Sequence, residues 1–193
     1  MGDARHGDAQ ITSLALAAGA GDRVALAAFI RGTQRDVHRF LAHRSDHDQA
    51  EDLTQETYLR ALRALPRFAG RASARTWLLS IARRVAADQV RQAVVRPRTT
   101  AVEDWEALVA DRAGQRRSGF DEGVVLRELV AGLETDRRDA FVLTQVLDLS
   151  YAEAAEVCGC PVGTIRSRVA RAREDLVREL NSTGRPGRSA TGP

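Results

Sequence analysis

The sequence predicts an all-α protein with two small helical domains joined by a flexible linker. Apolar residues recur three and four positions apart along most of the chain, which is the spacing of one helix face. No alternating apolar and polar stretch of useful length is present, so strands are not expected. The helical period stops between 94 and 122, where Pro97, two glycines and mixed charges occur, and it returns at Val124. This interruption divides the chain into two helical units.

The composition limits the kind of core and the compartment. Apolar residues make up 44% of the 193 residues and aromatic residues only 5%, so the cores consist mainly of Leu, Val and Ala. All 29 basic residues are arginines, a bias that a GC-rich genome also produces, and the net charge is only +3. No run of about 18 apolar residues and no secretory signal is visible, so we expect no membrane insertion and a cytoplasmic location.

The first unit, 10–95, contains four predicted helices. The segment before residue 10 is small and polar and is expected to fray, and Gly19 and Gly21 end the first helix. Asp22 is placed to cap the second helix, and Pro66 ends the third. The predicted helices are 11–20, 22–44, 48–65 and 74–93.

The third and fourth helices carry opposite charge. The stretch from Asp46 to Arg60 holds five acidic residues against one arginine, whereas 71–98 holds seven arginines against Asp88 alone. Because the helix dipole stabilises acids near a helix N-terminus, part of this pattern needs no partner. For the acidic helix, a solvated face and a surface for a basic partner therefore remain equal alternatives. The arginines of 71–98 favour a face that binds nucleic acid.

The second unit, 123–181, contains two predicted helices and then a helix-turn-helix pattern at about 151–170. Ser150 and Glu153 have the spacing of a capping box at the start of the first helix of that pattern. Gly159 is placed for a left-handed turn, and the second helix is expected to begin near Pro161. The apolar residues of the second helix form one predicted buried stripe of Val162, Ile165, Val169, Ala172 and Leu176.

The other face of that second helix is cationic. Between 162 and 178 there are five arginines against Glu174 and Asp175. A DNA-binding helix-turn-helix needs such a face, because its second helix enters the major groove. An amphipathic hairpin with a solvated arginine face is the alternative, since similar patterns occur without DNA binding.

No catalytic or metal-binding pattern accompanies these helices. A Gly-rich phosphate loop, a nucleophile motif and a metal-ligand cluster are all missing, so we predict no enzyme, no catalytic residue, no metal and no cofactor. Cys158 and Cys160 make a poor zinc pair and are expected to be small buried side chains, with a redox switch as the alternative. His43 and His47 are expected at the surface.

Three motifs carry a resemblance to a known family. They are AEDLTQETY from Ala50, TWLLSIAR from Thr76, and LSYAE from Leu149 with PVGTIRSRVARAR from Pro161. In this order and spacing they resemble RNA polymerase sigma factors of the extracytoplasmic-function type, over roughly residues 14–180. The resemblance implies a region 2 domain at 10–95 and a region 4 domain at 123–181, joined by a linker at 96–122. The segment 182–193 has the composition of a disordered tail.

The resemblance also implies partners and a division of roles. Region 2 would bind the clamp helices of the polymerase β′ subunit and would recognise and open the promoter −10 element, whereas region 4 would dock on the β flap and read the −35 element. The implied core-polymerase-binding residues are Glu51, Asp52, Leu53, Gln55, Glu56 and Leu59. The implied −10 residues are Arg75, Trp77, Arg83, Arg84, Asp88 and Arg91. The implied −35 residues are Thr164, Arg166, Ser167, Arg168, Ala170, Arg171 and Arg173.

Two other functions remain as alternatives. A stand-alone helix-turn-helix regulator would use the first unit for dimerisation or sensing, but it would not need the acidic helix. A pure interaction protein, such as an anti-sigma factor or an adaptor, would leave the arginine face unexplained. The sequence leaves open whether an anti-sigma factor binds this chain. It also permits the hypothesis that regions 2 and 4 of the free protein pack together and hide both DNA faces.

Overall fold

The computed structural model of the protein describes residues 3–45, 47–95 and 122–183. Within these ranges the chain forms eight α-helices, one 3-10 turn and one π-helical turn, and no strand, which confirms the all-α prediction. None of these helices is long and apolar enough to cross a membrane. Most of the predicted linker and all but the start of the predicted tail lie outside the described residues. The helices are α1 Asp3–Gly19, α2 Arg23–Ala42, α3 His47–Ala64, α4 Ala74–Val95, α5 Glu122–Gly132, α6 Thr135–Phe141, α7 Tyr151–Cys158 and α8 Val162–Thr183.

Helices α1 to α4 form the first bundle. Asp22 caps α2 as predicted, because its Oδ1 accepts hydrogen bonds from the backbone N–H groups of Val24 and Ala25 at 2.8 and 3.0 Å. Helix α1 begins at Asp3 rather than near residue 11, so the prediction of a frayed N-terminal segment is wrong from that residue onward. Val24 is also not in the core, since it is 78% exposed and the first buried position of α2 is Ala25.

Two glycines allow close packing around α1. A Cβ on Gly32 of α2 would lie 2.4 Å from Ile11 Cδ1, so a larger residue there would require the Ile11 side chain to move. A Cβ on Gly19 would lie 2.7 Å from the carbonyl oxygen of Leu65, in the 3-10 turn that follows α3. This turn, Leu65–Arg67, has Pro66 in its first positions, which explains why α3 ends at Ala64.

Helices α5 to α8 form the second bundle. Helix α6 passes directly into a π-helical turn, Val142–Val146, which is closed by the Leu147 N–H donating to the Val142 carbonyl at 3.0 Å. The apolar spacing of Phe141, Leu143 and Leu147 fits a single regular helix, so the periodicity does not reveal this widened turn. Asp148 follows with a φ of 55°, a left-handed conformation that is costly for residues other than glycine. The chain then reverses into α7.

The helix-turn-helix has the local geometry that its sequence predicts. The Ser150 Oγ accepts from the Glu153 N–H at 3.2 Å, and the Ser150 N–H donates to the Glu153 carboxylate at 2.8 Å, which completes the capping box. Gly159 ends α7 at φ 64° and ψ 40°. The predicted stripe of α8 is buried from Ile165 to Leu176, but Val162 in the first turn is 36% exposed and lies outside it.

The two bundles meet along α4 and α7. Buried side chains form one continuous cluster that includes both bundles, rather than two separate cores. The predicted −10 helix therefore lies against the first helix of the helix-turn-helix.

Replacing Ser150 by alanine should lower the free energy of unfolding by about 1 kcal/mol, because the Glu153 N–H at the start of α7 loses its hydrogen-bond acceptor. Urea denaturation followed by circular dichroism measures the change. Ser150→Asp is the matched control, since aspartate is an equally good cap. Equal loss in both variants would mean that the serine acts through something other than capping.

Candidate nucleic-acid interface

The acidic face of α3 lies at the surface. Glu51, Asp52 and Gln55 are exposed, and Leu59 is 50% exposed beside them. Leu53, which the resemblance places in the same set, is buried in the core of the first bundle. The structure thus brings together the polar members of the predicted polymerase surface, with Leu53 supporting α3 from behind.

An ion-pair chain joins α3 to the C-terminal half of α4. The Arg60 Nε donates to Glu56 at 2.7 Å, and the Arg60 Nη1 donates to Asp88 at 2.5 Å. Asp88 also pairs with Arg91, and its hydrogen bonds from Arg60 and Arg91 lower its pKa. Asp88 and Arg91 were predicted with the −10 residues, but the structure places Asp88 beside the acidic face of α3 and pairs Arg91 with it.

The other predicted −10 residues lie in the first half of α4. Trp77 is half-buried and packs on Phe68, with 4.8 Å between the ring centroids. Arg84 is exposed and donates to the Ser80 hydroxyl at 3.0 Å. Arg75 and Arg83 differ from both, because each donates a hydrogen bond to the second bundle.

Arg75 and Arg83 are held by groups around α6 and its π turn. The Arg75 Nη2 donates to the Leu147 carbonyl at 2.7 Å, while its Nε donates to Asp36 at 2.6 Å. The Arg83 Nε donates to Asp139 at 2.8 Å and its Nη2 donates to Asp136 at 2.9 Å. Burial alone would lower the pKa of Arg83, but the charge and hydrogen bond of Asp139 keep that pKa above its usual value.

Asp139 is the centre of these contacts. Its side chain is completely buried, and Arg44 at the end of α2 donates to both of its oxygens at 2.6 Å. The Arg44 side chain is only 8% exposed, so Asp139 joins two guanidinium groups of the first bundle away from solvent. Removing one partner of a buried pair typically costs about 3–5 kcal/mol, because the remaining charge stays desolvated. We name Arg44, Arg83, Asp136 and Asp139 the interdomain cluster.

Arg138 adds a second link between the bundles. Its guanidinium donates to the carbonyl oxygens of Ala131 in the last turn of α5 and of Leu133 just after it, and to the carbonyl of His43 after α2. His43 is half-buried rather than at the surface, and no partner is found for its Nδ1. Burial and the neighbouring Arg127, Arg39 and Arg138 lower the pKa of His43.

The predicted −35 residues remain mostly accessible. Arg166, Ser167, Ala170 and Arg171 are exposed on one side of α8, and Arg173 is exposed and donates to the Gln145 side chain at 2.7 Å. Thr164 is half-buried, and its carbonyl accepts from the Ser167 hydroxyl at 2.9 Å. Arg168 differs, because it pairs with Asp136 and also donates to the Cys160 Sγ at 3.5 Å.

The two cysteines differ in their surroundings. Cys158 is buried, and burial together with the nearby charge of Asp139 raises the pKa of its thiol to about 12. Cys160 is half-buried, and both thiols are free. Because a thiolate is the reactive form, a buried thiol with this pKa is unreactive. In the ranges that the structure describes, no group of three or more His, Cys, Asp or Glu residues could hold a metal ion.

Four residues of these contacts were missed by sequence reasoning: Arg44, Asp136, Arg138 and Asp139. One signal was present. Asp136 and Asp139 are three positions apart, and Asp139 precedes Leu143 by four, which places a carboxylate inside the apolar stripe of α6. A charge at such a position indicates a buried partner, although it does not tell which one.

Comparison with known proteins assigns the chain to a family. The profile described as Sigma-70 region 2 matches residues 29–94, and the profile described as Sigma-70, region 4 matches residues 124–176. The chain is 56% identical over 171 residues to the ECF RNA polymerase sigma factor SigC of Mycobacterium tuberculosis, an alignment that covers 88% of this chain and 91% of that protein. The chain therefore belongs to the extracytoplasmic-function sigma factors. It is an initiation factor that directs core RNA polymerase to promoters, and it is not an enzyme.

Solved structures share the same arrangement of helices. The structure of CnrH in complex with the cytosolic domain of CnrY has a TM-score of 0.64 and 25% identity, and it covers 90% of this chain and 98% of that one. The sigma factor RpoE of Bartonella quintana, crystallised with the anti-sigma factor NepR, has a TM-score of 0.62 and 27% identity, and it covers 83% of this chain and 98% of that one. Both solved structures contain a second protein bound to the matched chain.

Stability should fall as pH is lowered from 7.5 to 5.5, and His43 should cause part of the fall. Because the pKa of His43 is lowered in the folded protein, the unfolded chain binds more protons below pH 6.5, the usual value for histidine. The midpoint of urea denaturation at each pH measures this effect. His43→Gln should flatten the dependence. An unchanged dependence in His43→Gln would show that other groups cause the fall.

Proposed function

We propose that this sigma factor divides its work among three surfaces. Region 2, at 10–95, docks on the β′ clamp helices through α3 and captures the −10 strand through the first half of α4. Region 4, at 123–181, docks on the β flap and reads the −35 duplex through α8, while the linker at 96–122 runs toward the RNA exit path. The observation that carries this proposal is the exposed cationic side of α8 behind a correctly capped helix-turn-helix, in one chain with the exposed acidic face of α3. The protein acts in the cytoplasm, with the polymerase.

The exposed acids of α3 support docking on polymerase. Asp52 and Gln55 lie on one face with Glu56, next to the half-exposed Leu59. Polar groups beside an exposed apolar side chain are typical of a protein interface, which has an apolar centre and a polar rim. The Arg60 and Asp88 ion pairs hold the adjoining end of α4 against α3. This arrangement favours assigning Asp88 and Arg91 to the edge of the polymerase surface as well as to −10 DNA.

Assignments on α8 follow exposure and chemistry. Arg166, Ser167 and Arg171 are proposed to contact base edges, because they are exposed on one side near the start of the helix. Thr164, Arg168 and Arg173 are proposed to contact phosphates. A bidentate arginine–guanine contact is worth about 1–3 kcal/mol of discrimination, whereas Ala170 offers only an apolar contact to a thymine methyl group.

A stand-alone helix-turn-helix regulator is a weaker explanation. Such a protein would have no role for a region 2 segment, whereas that profile matches residues 29–94. An adaptor or anti-sigma factor is weaker still, because it would leave the exposed arginines of α8 without a function.

Arg171→Ala should reduce −35-dependent run-off transcription about 5- to 150-fold, which corresponds to the loss of one bidentate base contact. Transcription from a promoter library with purified core polymerase measures the effect, and core binding should be unchanged. Arg178→Ala is the matched control, since Arg178 is exposed on the same helix beyond the predicted reading positions. Equal loss of transcription and core binding would mean that Arg171 is structural.

Asp52→Arg should weaken binding to core polymerase by at least about tenfold, because it reverses a charge at the centre of the acidic face. Competition with a labelled wild-type chain for core polymerase measures the change. Glu128→Arg, an equal charge change at an exposed position of α5, should leave binding nearly intact. Equal loss in both variants would point to net charge rather than to a docking face.

A further inference from the structure

The outer side of α2 carries three arginines on successive helical turns. Arg31, Arg35 and Arg39 are four positions apart and all are exposed, whereas Phe29 and Val37 are buried on the other side of the helix. Four residues advance a helix by about 6 Å, so the three Cα positions span about 12 Å along the helix axis. We name Arg31, Arg35 and Arg39 the arginine ladder.

The arginine ladder has no counter-charge on its own helix. Asp36 is the acidic residue of α2, and Arg75 of α4 donates to its carboxylate at 2.6 Å. In the ranges that the structure describes, the three ladder guanidinium groups form no hydrogen bond and no ion pair. Helix α1, which packs against α2, carries no charged residue from Ala9 to Ala20. The described residues around the ladder therefore leave its positive charge uncompensated.

Other arginines of the first bundle are compensated. Arg44 pairs with Asp139, and Arg60 pairs with both Glu56 and Asp88. The ladder differs, and its spacing has a cost, because like charges four positions apart on a helix repel one another and destabilise it. A polyanionic partner would offset this cost.

Positive charge also continues beyond the C-terminal end of the ladder. Burial and the charges of Arg127, Arg39 and Arg138 lower the pKa of His43, which directly follows α2. Arg127 of α5 is exposed and, like the ladder, forms no ion pair within the described residues. The cationic surface therefore extends from Arg31 to the end of α2 and onto α5.

We propose that the arginine ladder is a third DNA contact, which binds the phosphate backbone and reads no sequence. This contact goes beyond the proposed function, which assigns DNA to α4 and α8. Guanidinium groups bind phosphate oxygens with paired, charge-assisted hydrogen bonds. Contacts to phosphates add affinity and fix the position of a protein on DNA, whereas sequence is read at the base edges.

The surface between the arginines favours nucleic acid over an acidic protein. From Arg31 to Arg39 the other exposed residues are Gly32 and Gln34, and no apolar side chain is exposed there. A protein interface buries an apolar centre inside a polar rim, and the ladder offers no such centre. A phosphate backbone needs only a row of positive charges, because DNA carries negative charge at short, regular intervals along its axis.

The salt dependence of DNA binding tests the proposal, because its slope reports how many phosphates the protein neutralises. The full-length triple variant Arg31→Gln, Arg35→Gln and Arg39→Gln is compared with the wild-type chain. Fluorescence anisotropy measures binding to a random duplex of about 30 base pairs between about 50 and 200 mM salt. The slope of log K against log salt should become shallower by about 2–3, since each phosphate contact contributes about 0.9.

The matched control is the triple variant Arg23→Gln, Arg63→Gln and Arg67→Gln. It removes the same charge from exposed arginines of the same bundle that lie outside the ladder. Its slope should change by less than about 1. Both triple variants should keep the wild-type helix content in circular dichroism, because the replaced side chains are exposed. The ladder variant should also melt no lower than the wild type, since it loses a repulsion.

A crosslink gives a direct readout of where the DNA lies. Photoreactive benzoylphenylalanine in place of Gln34, between the ladder arginines, should crosslink to the duplex on irradiation. The same residue in place of Gln55, on the exposed acidic face of α3, should not.

Several results would overturn the proposal. An equal loss of slope in both triple variants would show that net charge, and not the ladder, determines binding. An unchanged slope in the ladder variant, or a wild-type chain that does not bind the duplex, would show that the ladder meets no phosphate. If the ladder variant then bound core polymerase more weakly than the wild type, the ladder would face an acidic protein surface instead. Absence of a crosslink from position 34 would show that DNA does not lie along α2.

Discussion

Asp139 receives hydrogen bonds from Arg44 and Arg83 while its own side chain is shielded from water. A carboxylate in that position needs a guanidinium partner, because a desolvated charge without one would be costly. Asp139 thus joins α6 of the second bundle to Arg44 and Arg83 of the first, beside the contact of α4 with α7. The closed shape thus follows from a specific ionic contact and not from apolar burial alone.

The arginine–carboxylate pairs that join the two bundles use the same donors that an arginine offers to a phosphate. Arginine is suited to both, because its planar donors fit carboxylate and phosphate oxygens equally. Asp136 pairs with Arg83 of region 2 and also with Arg168 of region 4. The outer side of α8 and the acidic side of α3 remain accessible in this arrangement.

Local features of the fold were predictable because their causes are local. The Asp22 cap, the Ser150–Glu153 box and the left-handed Gly159 each depend on residues within one turn of each other. Long-range features were not predictable, because an apolar period shows that a helix face is buried but not which surface covers it. His43 was expected in solvent because the partner that covers it comes from more than 90 residues away in sequence. Asp88 shares α4 with Arg83, yet it lies far enough along the helix to pair with Arg60 of α3, a contact that the helix period alone does not predict. The π turn after α6 was not predictable, because the spacing of its apolar residues is also that of a regular α-helix.

Small-angle X-ray scattering of the full-length chain, free of polymerase and DNA, tests most directly whether Asp139 holds the two bundles together. The wild-type protein should give the distance distribution of a single compact body, and Arg44→Gln should shift it toward two separated bodies. The same two-body distribution for wild type and Arg44→Gln would contradict the closed arrangement. A compact distribution for both would show that the bundles are joined by something other than the buried pair.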